Sequence, residues 1–484
     1  MNILMVASEA TPFAKTGGLA DVLGALPAAL AERGENVAVV LPAYRENRYP
    51  GATREAYRNL WIPIGPGYRV DIQQTTIHQS GQQAADRGVT YYFVQCPALY
   101  DRDGIYGSGP ADFPDNHLRF SVLSMAAVGV ARHLFRPDVL HLHDWQAGLT
   151  PVYIREHFRG DPTFRRVKTL LTIHNLGYQG IFPPEALAQI ALNPRLMNPD
   201  QLEFFGRVNF LKAGIAWSDA ISTVSKGYAR EIQTPEYGFG LDGFLRRHGP
   251  ITGIVNGVDY GEWNPEHDTH IARNYSASDL SGKRVCKQAL LAHYGLPQDN
   301  LDRPLLAMIS RFAAQKGIDI VADAASRMLR EDLTLVVLGS GDPKYESMFR
   351  ALSQAYPDKV GVQFGYDTGL SHRIEAGADM FVMPSRYEPC GLNQIYSLKY
   401  GTVPVVRATG GLDDTIDEGT GFKFRDYSGD ALLETVRVAL RAYQDPFQYN
   451  DQWVRRMRRG MEKDFSWRAS AGEYVELYRR LVAS

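Results

Sequence analysis

Two tandem α/β domains of the doubly wound kind are predicted by three features of this sequence. Short apolar runs alternate with stretches of helical period along most of the chain. Glycine-rich or polar turns close many of those runs. The chain also has 484 residues, 44% hydrophobic and 22% charged, which is more than a single core accommodates. The alternation starts afresh after Asn256-Gly257-Val258-Asp259, which places the boundary near residue 250. The expected layout is a first domain over 1–250, a second over 251–460 and a terminal helix over 461–484. In open sheets of this kind ligands bind outside the carboxyl ends of the strands, so a deep cleft between the domains is the expected binding place.

The first series opens with a strand over Ile3–Ala7, followed by Ser8-Glu9 and by Lys15-Thr16-Gly17-Gly18. A helical pattern then begins, with Leu19, Val22, Leu23, Leu26, Ala29 and Leu30 on one face. Further strands fall at Asn36–Leu41, Tyr91–Gln95, Val139–His143, Val167–His174 and Ala220–Val224, while Trp61–Ile77 reads as an inserted hairpin. The second series has strands at Leu305–Ser310, Leu333–Leu338, Val360–Phe364, Met380–Met383 and Val403–Val406. Helical patterns such as Ile318–Leu329 and Tyr345–Tyr356 follow them. The last stretch, from Asp464-Phe465-Ser466-Trp467, carries Tyr474, Leu477 and Leu481 at helical spacing; periodicity leaves open whether it returns to the first domain.

Composition excludes several functional classes. A net charge of -2 gives no global attraction to nucleic acid or to a membrane surface. Cys96, Cys286 and Cys390 have no metal-ligand spacing and fit a reducing compartment. No run of eighteen apolar residues occurs, and no basic segment precedes the first strand, so the expected location is the cytoplasm.

Candidate chemistry sits where the strands end. Gly17 and Gly18 lie between a strand and a helix, where backbone amides and a helix N-terminus attract an anion and Lys15 adds a mobile charge. The G-x-G-x-x-G spacing of a dinucleotide site is absent, so a dehydrogenase is not supported. The alternative is a tight turn with a solvated lysine. Arg311 and Lys316 share one loop after a second-series strand; such a pair suits a departing diphosphate, bidentate guanidinium plus compact ammonium, and could replace a metal ion, the alternative being two surface cations that flank a turn. Gly339-Ser340-Gly341-Asp342 supplies another glycine-rich strand exit in the same half.

Glu388 precedes a Pro-Cys-Gly turn and a helical pattern; it is either a helix-capping carboxylate or an acceptor for sugar hydroxyls. Cys390 is a buried packing residue or a thiol activated by the helix start. His141 and His143 share a strand face, with His174 ending the next strand; metal ligation and core packing are both open readings. Asp101-Arg102-Asp103 is a turn or a cation site, and Asp138 after Pro137 stands at a strand start, where a carboxylate is usually structural.

Lys-Thr-Gly-Gly-Leu-Ala-Asp-Val at 15–22, His-Asp-Trp-Gln-Ala-Gly-Leu at 143–149, His-Asn-Leu-Gly-Tyr-Gln-Gly at 174–180 and Phe-Leu-Lys-Ala-Gly at 210–214 resemble the bacterial glycogen synthases. So do Asn-Gly-Val-Asp at 256–259, Ser-Arg-Phe with Gln-Lys-Gly at 310–317, Pro-Ser-Arg-Tyr-Glu-Pro-Cys-Gly-Leu at 384–392, Thr-Gly-Gly-Leu at 409–412 and the closing Asp-Phe-Ser-Trp. Starch synthases share the pattern. The resemblance covers essentially the whole chain in order. It implies a GT-B glycosyltransferase that moves glucose from ADP-glucose to the non-reducing end of an α-1,4-glucan such as glycogen, with retention and without a metal or other cofactor.

By the same resemblance Lys15, Gly17 and Gly18 contact the donor diphosphate from the first domain, and Arg311 and Lys316 hold it from the second. Glu388 binds donor glucose and steadies its cationic centre, with Cys390, Gly391 and Leu392 supplying backbone contacts. The His174 carbonyl lies beside the anomeric carbon, Asp138 holds a glucose hydroxyl, Asn256 joins the donor site, and Tyr366 stacks on adenine. Tyr91, Tyr92 and Trp145 are candidate glucan contacts, with core packing the alternative.

The sequence departs from the family pattern at Asn393, where Thr is usual, and in a shortened stretch over 413–421. Tyr396 stands where related retaining transferases place a second glutamate. No paired carboxylates announce a double displacement; the expectation that goes with the resemblance is front-face transfer, with the departing diphosphate taking the acceptor proton. Domain closure would then assemble the cations. A phosphorylase would need a pyridoxal-phosphate lysine, for which no motif appears. A non-catalytic glucan-binding relative would be expected to lack Lys15, Arg311, Lys316 or Glu388, and all four are present.

Overall fold

The computed structural model describes residues 1–45, 52–78, 88–109, 111–445 and 452–484. They form two compact units: Met1–Val224 with Ala229–Gly257 and Trp467–Ser484, and Ser225–Tyr228 with Val258–Ser466.

The first unit is built on a nine-stranded sheet of β1 (Asn2–Val6), β2 (Asn36–Pro42), β3 (Arg54–Ile62), β4 (Tyr68–Ile77), β5 (Val89–Gln95), β6 (Val139–His143), β7 (Lys168–Ile173), β8 (Ala220–Thr223) and β9 (Ile251–Gly253). Their order is β9-β8-β7-β6-β1-β2-β5-β4-β3. All pairs are parallel except β5 with β4 and β4 with β3. The parallel strands β1, β2, β6 and β7 are buried almost throughout, because helices cover both faces, and they therefore read as unbroken apolar runs. The hairpin β3–β4 is the expected insertion, extended back to Arg54; its outer strand is a mixture of exposed and half-buried positions, as suits a sheet edge.

β9 pairs with β8, which carries the first unit on to Gly257 rather than ending it at 250. A three-residue strand is too short to show a pattern in sequence. The terminal helix Trp467–Ala483 also belongs to this unit: Ala471, Tyr474, Leu477, Tyr478 and Leu481 complete the same core as Ile3, Leu23, Leu26 and Leu30. Arg33 Nη2 donates to the Arg468 carbonyl at 2.6 Å, and Tyr478 Oη lies 2.7 Å from His141 Nδ1. The segment Asn116–Phe135 is apolar and long enough to cross a membrane by length and composition, but it is mostly buried inside this unit. Its Arg119 is fully buried and donates to the Leu99 and Ile105 carbonyls and to Asn116.

The second unit carries a six-stranded parallel sheet of β10 (Leu305–Phe312), β11 (Thr334–Gly341), β12 (Val360–Phe364), β13 (Met380–Met383), β14 (Val403–Arg407) and β15 (Phe422–Phe424), in the order β12-β11-β10-β13-β14-β15. Leu306, Met308, Val337 and Val382 pack on one face against Val321, Phe349, Leu432 and Val436; Ala307, Val336, Phe381 and Val406 pack on the other against Leu291, Ile374 and Leu412. β10 and β11 run two or three residues further than the apolar pattern foretells. Gly339 and Gly341 explain this: a Cβ at either would lie 1.9 Å and 2.4 Å from the carbonyl oxygens of Ser310 and Phe312, so only glycine lets the pairing continue.

Each sheet thus reverses its winding beside its first strand, β1 between β2 and β6, and β10 between β11 and β13. At such points the loops after the paired strands diverge and leave a crevice. In the first unit these loops follow β1 and β6, and in the second they follow β10 and β13.

Candidate active site

In the second unit the loops after β10 and β13 are laced together. Gly317 has φ +74°, and a Cβ there would lie 2.0 Å from the Pro384 carbonyl oxygen, so glycine serves both the left-handed turn and the close approach. The Arg386 amide donates to the Gln315 carbonyl at 2.8 Å. This lacing brings Lys316 Nζ to 2.7 Å from Glu388 Oε2, which also accepts from Ser385 Oγ at 2.9 Å. Glu388 is buried, while Lys316 keeps about a quarter of its side chain open, 24% against 7%. The ammonium and the serine hydroxyl hold this buried carboxylate in one place.

Arg311, at the end of β10, is exposed, and its guanidinium has no hydrogen-bond or ion-pair partner among the described residues. Gly391 has φ +72°, and the amides of Gly391 and Leu392 donate to no group among the described residues. The Gly411 amide donates to the Glu388 carbonyl at 3.0 Å, and Gly411 packs on the Cys390 carbonyl so tightly that a Cβ would sit 2.0 Å away. The Cys390 thiol is buried there, which favours the packing reading. Asn393 donates its amide to the Ile309 carbonyl at 3.0 Å, so it ties the helix Asn393–Lys399 to β10. Tyr366, after β12, is 81% exposed. Tyr396 is stacked on Trp263, ring centroids 3.9 Å apart, with His372 on the indole's other side at 3.8 Å.

The glycine loop of the first unit is organised by a residue that sequence reasoning passed over. Glu9, buried at the end of β1, accepts from the amides of Thr16 and Gly17, the latter at 3.1 Å, from Thr16 Oγ1 at 2.8 Å, and from the Tyr106 hydroxyl. The anion that these amides attract is therefore the protein's own carboxylate. Gly17 does not have its N–H free, which corrects its expected role as a phosphate donor; Gly18 starts the helix Gly18–Glu32 and faces open space. Lys15 is half exposed and lies 2.6 Å from Asp21. The signal in sequence was an acidic residue placed directly between the strand and the glycines.

After β6 and β7, buried polar groups form a chain. His141 uses both ring nitrogens, on Thr172 Oγ1 at 2.6 Å and on Tyr478 at 2.7 Å, and so has none left for a metal. His143 Nδ1 lies 2.9 Å from His174 Nε2. Burial pushes His141 and His174 down to about 3 and holds His143 well below its usual value, so all three rings are neutral. Asp144, with φ +56°, accepts from the His174 amide at 2.7 Å; burial raises it to about 7, opposed by the amides of His174 and Asn175. This carboxylate fixes the His174 backbone; in sequence it stood inside the 143–149 motif with no role attached to it.

Two further expectations are overturned. Asp138 stands at the amino end of β6, where its carboxylate accepts from the Asn2 amide at 2.7 Å. It is thus at the opposite edge of the sheet from His174 and cannot hold a sugar there. Tyr91 and Tyr92 are 3% and 6% exposed, because β5 is an inner strand, and Tyr91 packs on Phe13. They are core, not glucan contacts, and Trp145 is likewise buried under Gly180. In the 101–103 turn both aspartates bind Arg45, each at 2.8 Å, so the turn is held by ion pairs. Asn256 is buried in the first unit, and its Oδ1 has no partner among the described residues.

Two Rossmann-like units, each with basic and glycine-bearing loops at its switch point, define a glycosyltransferase of the GT-B class. Residues 2–247 match the family model described as the starch synthase catalytic domain, and residues 297–458 match that of glycosyl transferases group 1. The chain is 49% identical to a glycogen synthase of Koribacter versatilis, covering 99% of this chain and 98% of that protein. It is 47% identical to a glycogen synthase of Myxococcus xanthus, with 100% of both covered. Among solved structures it resembles the catalytic domain of starch synthase IV from Arabidopsis thaliana bound to ADP and acarbose: TM-score 0.87, 31% identity, 100% of this chain and 99% of that one covered. The chain belongs to the glycogen synthase family, and its activity is glucosyl transfer in glycogen biosynthesis.

Proposed function

We propose that this enzyme takes glucose from ADP-glucose and adds it, with retention and without a metal ion, to the non-reducing end of an α-1,4-glucan in the cytoplasm. The observation that carries this reading is the Lys316–Glu388 pair, 2.7 Å apart, beside the unpaired guanidinium of Arg311. Arg311 grips a diphosphate bidentately, and Lys316 meets the charge that grows on it as the glycosidic bond breaks. The free amides of Gly391 and Leu392 add donors. Glu388, fixed by Lys316 and Ser385, accepts hydroxyls of the donor glucose and offsets positive charge on its ring. Exposed Tyr366 offers a flat face to the adenine. In the first unit Lys15 and Gly18 contribute to donor binding, Asn256 offers an open acceptor atom, and the His174 carbonyl, fixed through Asp144, faces developing cationic charge.

Front-face transfer follows: the departing diphosphate oxygen takes the proton of the attacking glucan hydroxyl, the new glycosidic bond forms on the face that the diphosphate leaves, and ADP departs. Glucose incorporation into glycogen from ADP-glucose and from UDP-glucose, with and without EDTA, tests the reading. The expected result is transfer from ADP-glucose, insensitive to EDTA, with an α-anomeric product by proton NMR. Transfer from UDP-glucose alone, or loss on chelation, would overturn the donor or the metal assignment.

A further inference from the structure

The second unit holds a cavity of about 380 Å³ over its edge strand β15, and none of the residues lining it belongs to the loops of Arg311, Lys316 or Glu388. Its walls include Phe422 and Lys423 of β15, Arg425 just after that strand, Glu418 before it, and Arg456 of the helix Val454–Glu462. The volume lies at the small end of the range for ligand pockets. Three cationic side chains thus line the cavity against one carboxylate, that of Glu418. Lys423 is already matched, with Nζ 2.6 Å from Asp413 Oδ1. Arg425 is exposed, and its guanidinium has no hydrogen-bond or ion-pair partner among the described residues.

Arg456 is half-buried and incompletely satisfied. Its Cζ lies 4.4 Å from the centre of the Phe422 ring, and that ring is backed in turn by the buried indole of Trp453, centroids 6.2 Å apart. Nη2 donates to the Glu418 carbonyl at 3.1 Å, while Nε and Nη1, both shut off from solvent, have no acceptor among the described residues. No carboxylate among the described residues pairs with this guanidinium. Burial lowers its pKa, and the neighbouring Arg459 guanidinium lowers it further. A guanidinium with two unused nitrogens beside a like charge is destabilising unless an acceptor from outside completes it. Water would satisfy the nitrogens but not the charge. A planar donor held against an aromatic ring, with a second free guanidinium on the same cavity, suits a tetrahedral anion whose oxygens accept several N–H groups at once.

We propose that this cavity is a binding site for a phosphate group, free or carried on a small molecule, with Arg456 and Arg425 as its anchors. The site is separate from the donor loops and does not depend on the donor or acceptor assigned to them. The test is calorimetric binding of inorganic phosphate and of glycerol 3-phosphate to the full-length protein and to Arg456→Met, Arg425→Ala and Arg311→Ala. Methionine keeps an unbranched side chain against Phe422 while removing the charge, and Arg425 is exposed, so a folding defect in one variant leaves the other to decide. The affinity is expected to fall about ten- to a hundredfold in Arg456→Met and about three- to tenfold in Arg425→Ala, and to hold in Arg311→Ala. Phosphate should also raise the Tm of the wild type and leave that of Arg456→Met in place. Tighter binding of the ester than of inorganic phosphate assigns the site to a phosphorylated small molecule, and equal binding assigns it to phosphate itself. No binding by the wild type, or binding by Arg456→Met and Arg425→Ala equal to the wild type's, overturns the site. Loss of binding in Arg311→Ala alone overturns it as well, since the phosphate would then sit at the donor loops.

Discussion

The switch-point loops of the two units look alike in sequence, a lysine beside glycines after a strand, yet they are wired differently. In the second unit the cation Lys316 is held by a buried carboxylate, Glu388, and the glycines bring two loops into contact. In the first unit the carboxylate, Glu9, holds the loop's amides, and Lys15 is left half exposed beside an equally open Asp21. The lesson is that similar glycine-rich turns assign their backbone differently: one presents ligand-directed groups that are already fixed, the other fixes its own backbone and leaves a mobile charge. A fixed cation stabilises a transition state without reorganising, whereas a mobile one first has to be ordered.

The largest consequence is a difference between the two lysines. Lys316→Ala should lower kcat by about two to three orders of magnitude, because it removes a preorganised charge and leaves Glu388 buried without its ammonium. Steady-state kinetics checks this, and an unchanged kcat would end the distinction. Lys15→Ala should cost about ten- to a hundredfold in kcat/KM, the smaller loss expected of a flexible exposed side chain. Equal losses would mean that the two loops are equivalent in the bound state.

Glu9→Gln sharpens the comparison further. All four groups on Glu9 are donors, so an amide nitrogen in that place faces donors and orphans at least one of them. The expected loss is about three- to tenfold in kcat/KM. It should vanish in a Lys15→Ala background if Glu9 acts by holding the lysine's loop, and a double-mutant cycle reads that directly.

The last effect concerns acid and falls on stability rather than on rate. His141 and His174 stand at about 3 in the folded chain against an ordinary 6.5, so between those values the unfolded chain binds more protons. Stability is therefore full above pH 6.5 and is lost as pH falls toward 3, each ring steepening the loss by up to about 1.4 kcal/mol per pH unit. Urea midpoints across this range should fall less steeply for His141→Gln, and an identical slope would place the acid sensitivity elsewhere.

Much of this was legible in sequence, for a physical reason. Parallel strands covered on both faces must be apolar throughout, so β1, β2, β6, β7 and β10 to β14 announce themselves by composition, several to within a residue or two. The three-residue strands β9 and β15 give no such signal, and β9 shifted the end of the first unit. In the site, residues at strand ends beside glycines were readable: Lys316 and Glu388 lie together at 2.7 Å, and Arg311 stands exposed at the end of β10. Position along a strand misled at Asp138, where resemblance assigned a ligand role to a residue at the wrong edge. Tyr91 and Tyr92 misled because a buried and an exposed tyrosine read alike. Glu9 and Asp144 stayed hidden because their work is to accept amide protons from residues that only the fold brings near.

The terminal helix Trp467–Ala483 bears on how the protein is made. Tyr474, Leu477, Tyr478 and Leu481 each bring roughly 1.5–3 kcal/mol of apolar burial to the first unit's core. The ribosome synthesises them only after the whole of Val258–Ser466. During synthesis the first unit therefore waits with an unfilled core while the second, which needs little from outside its own stretch, already has its complement of strands. The amino-terminal half of this chain is thus the last to be finished.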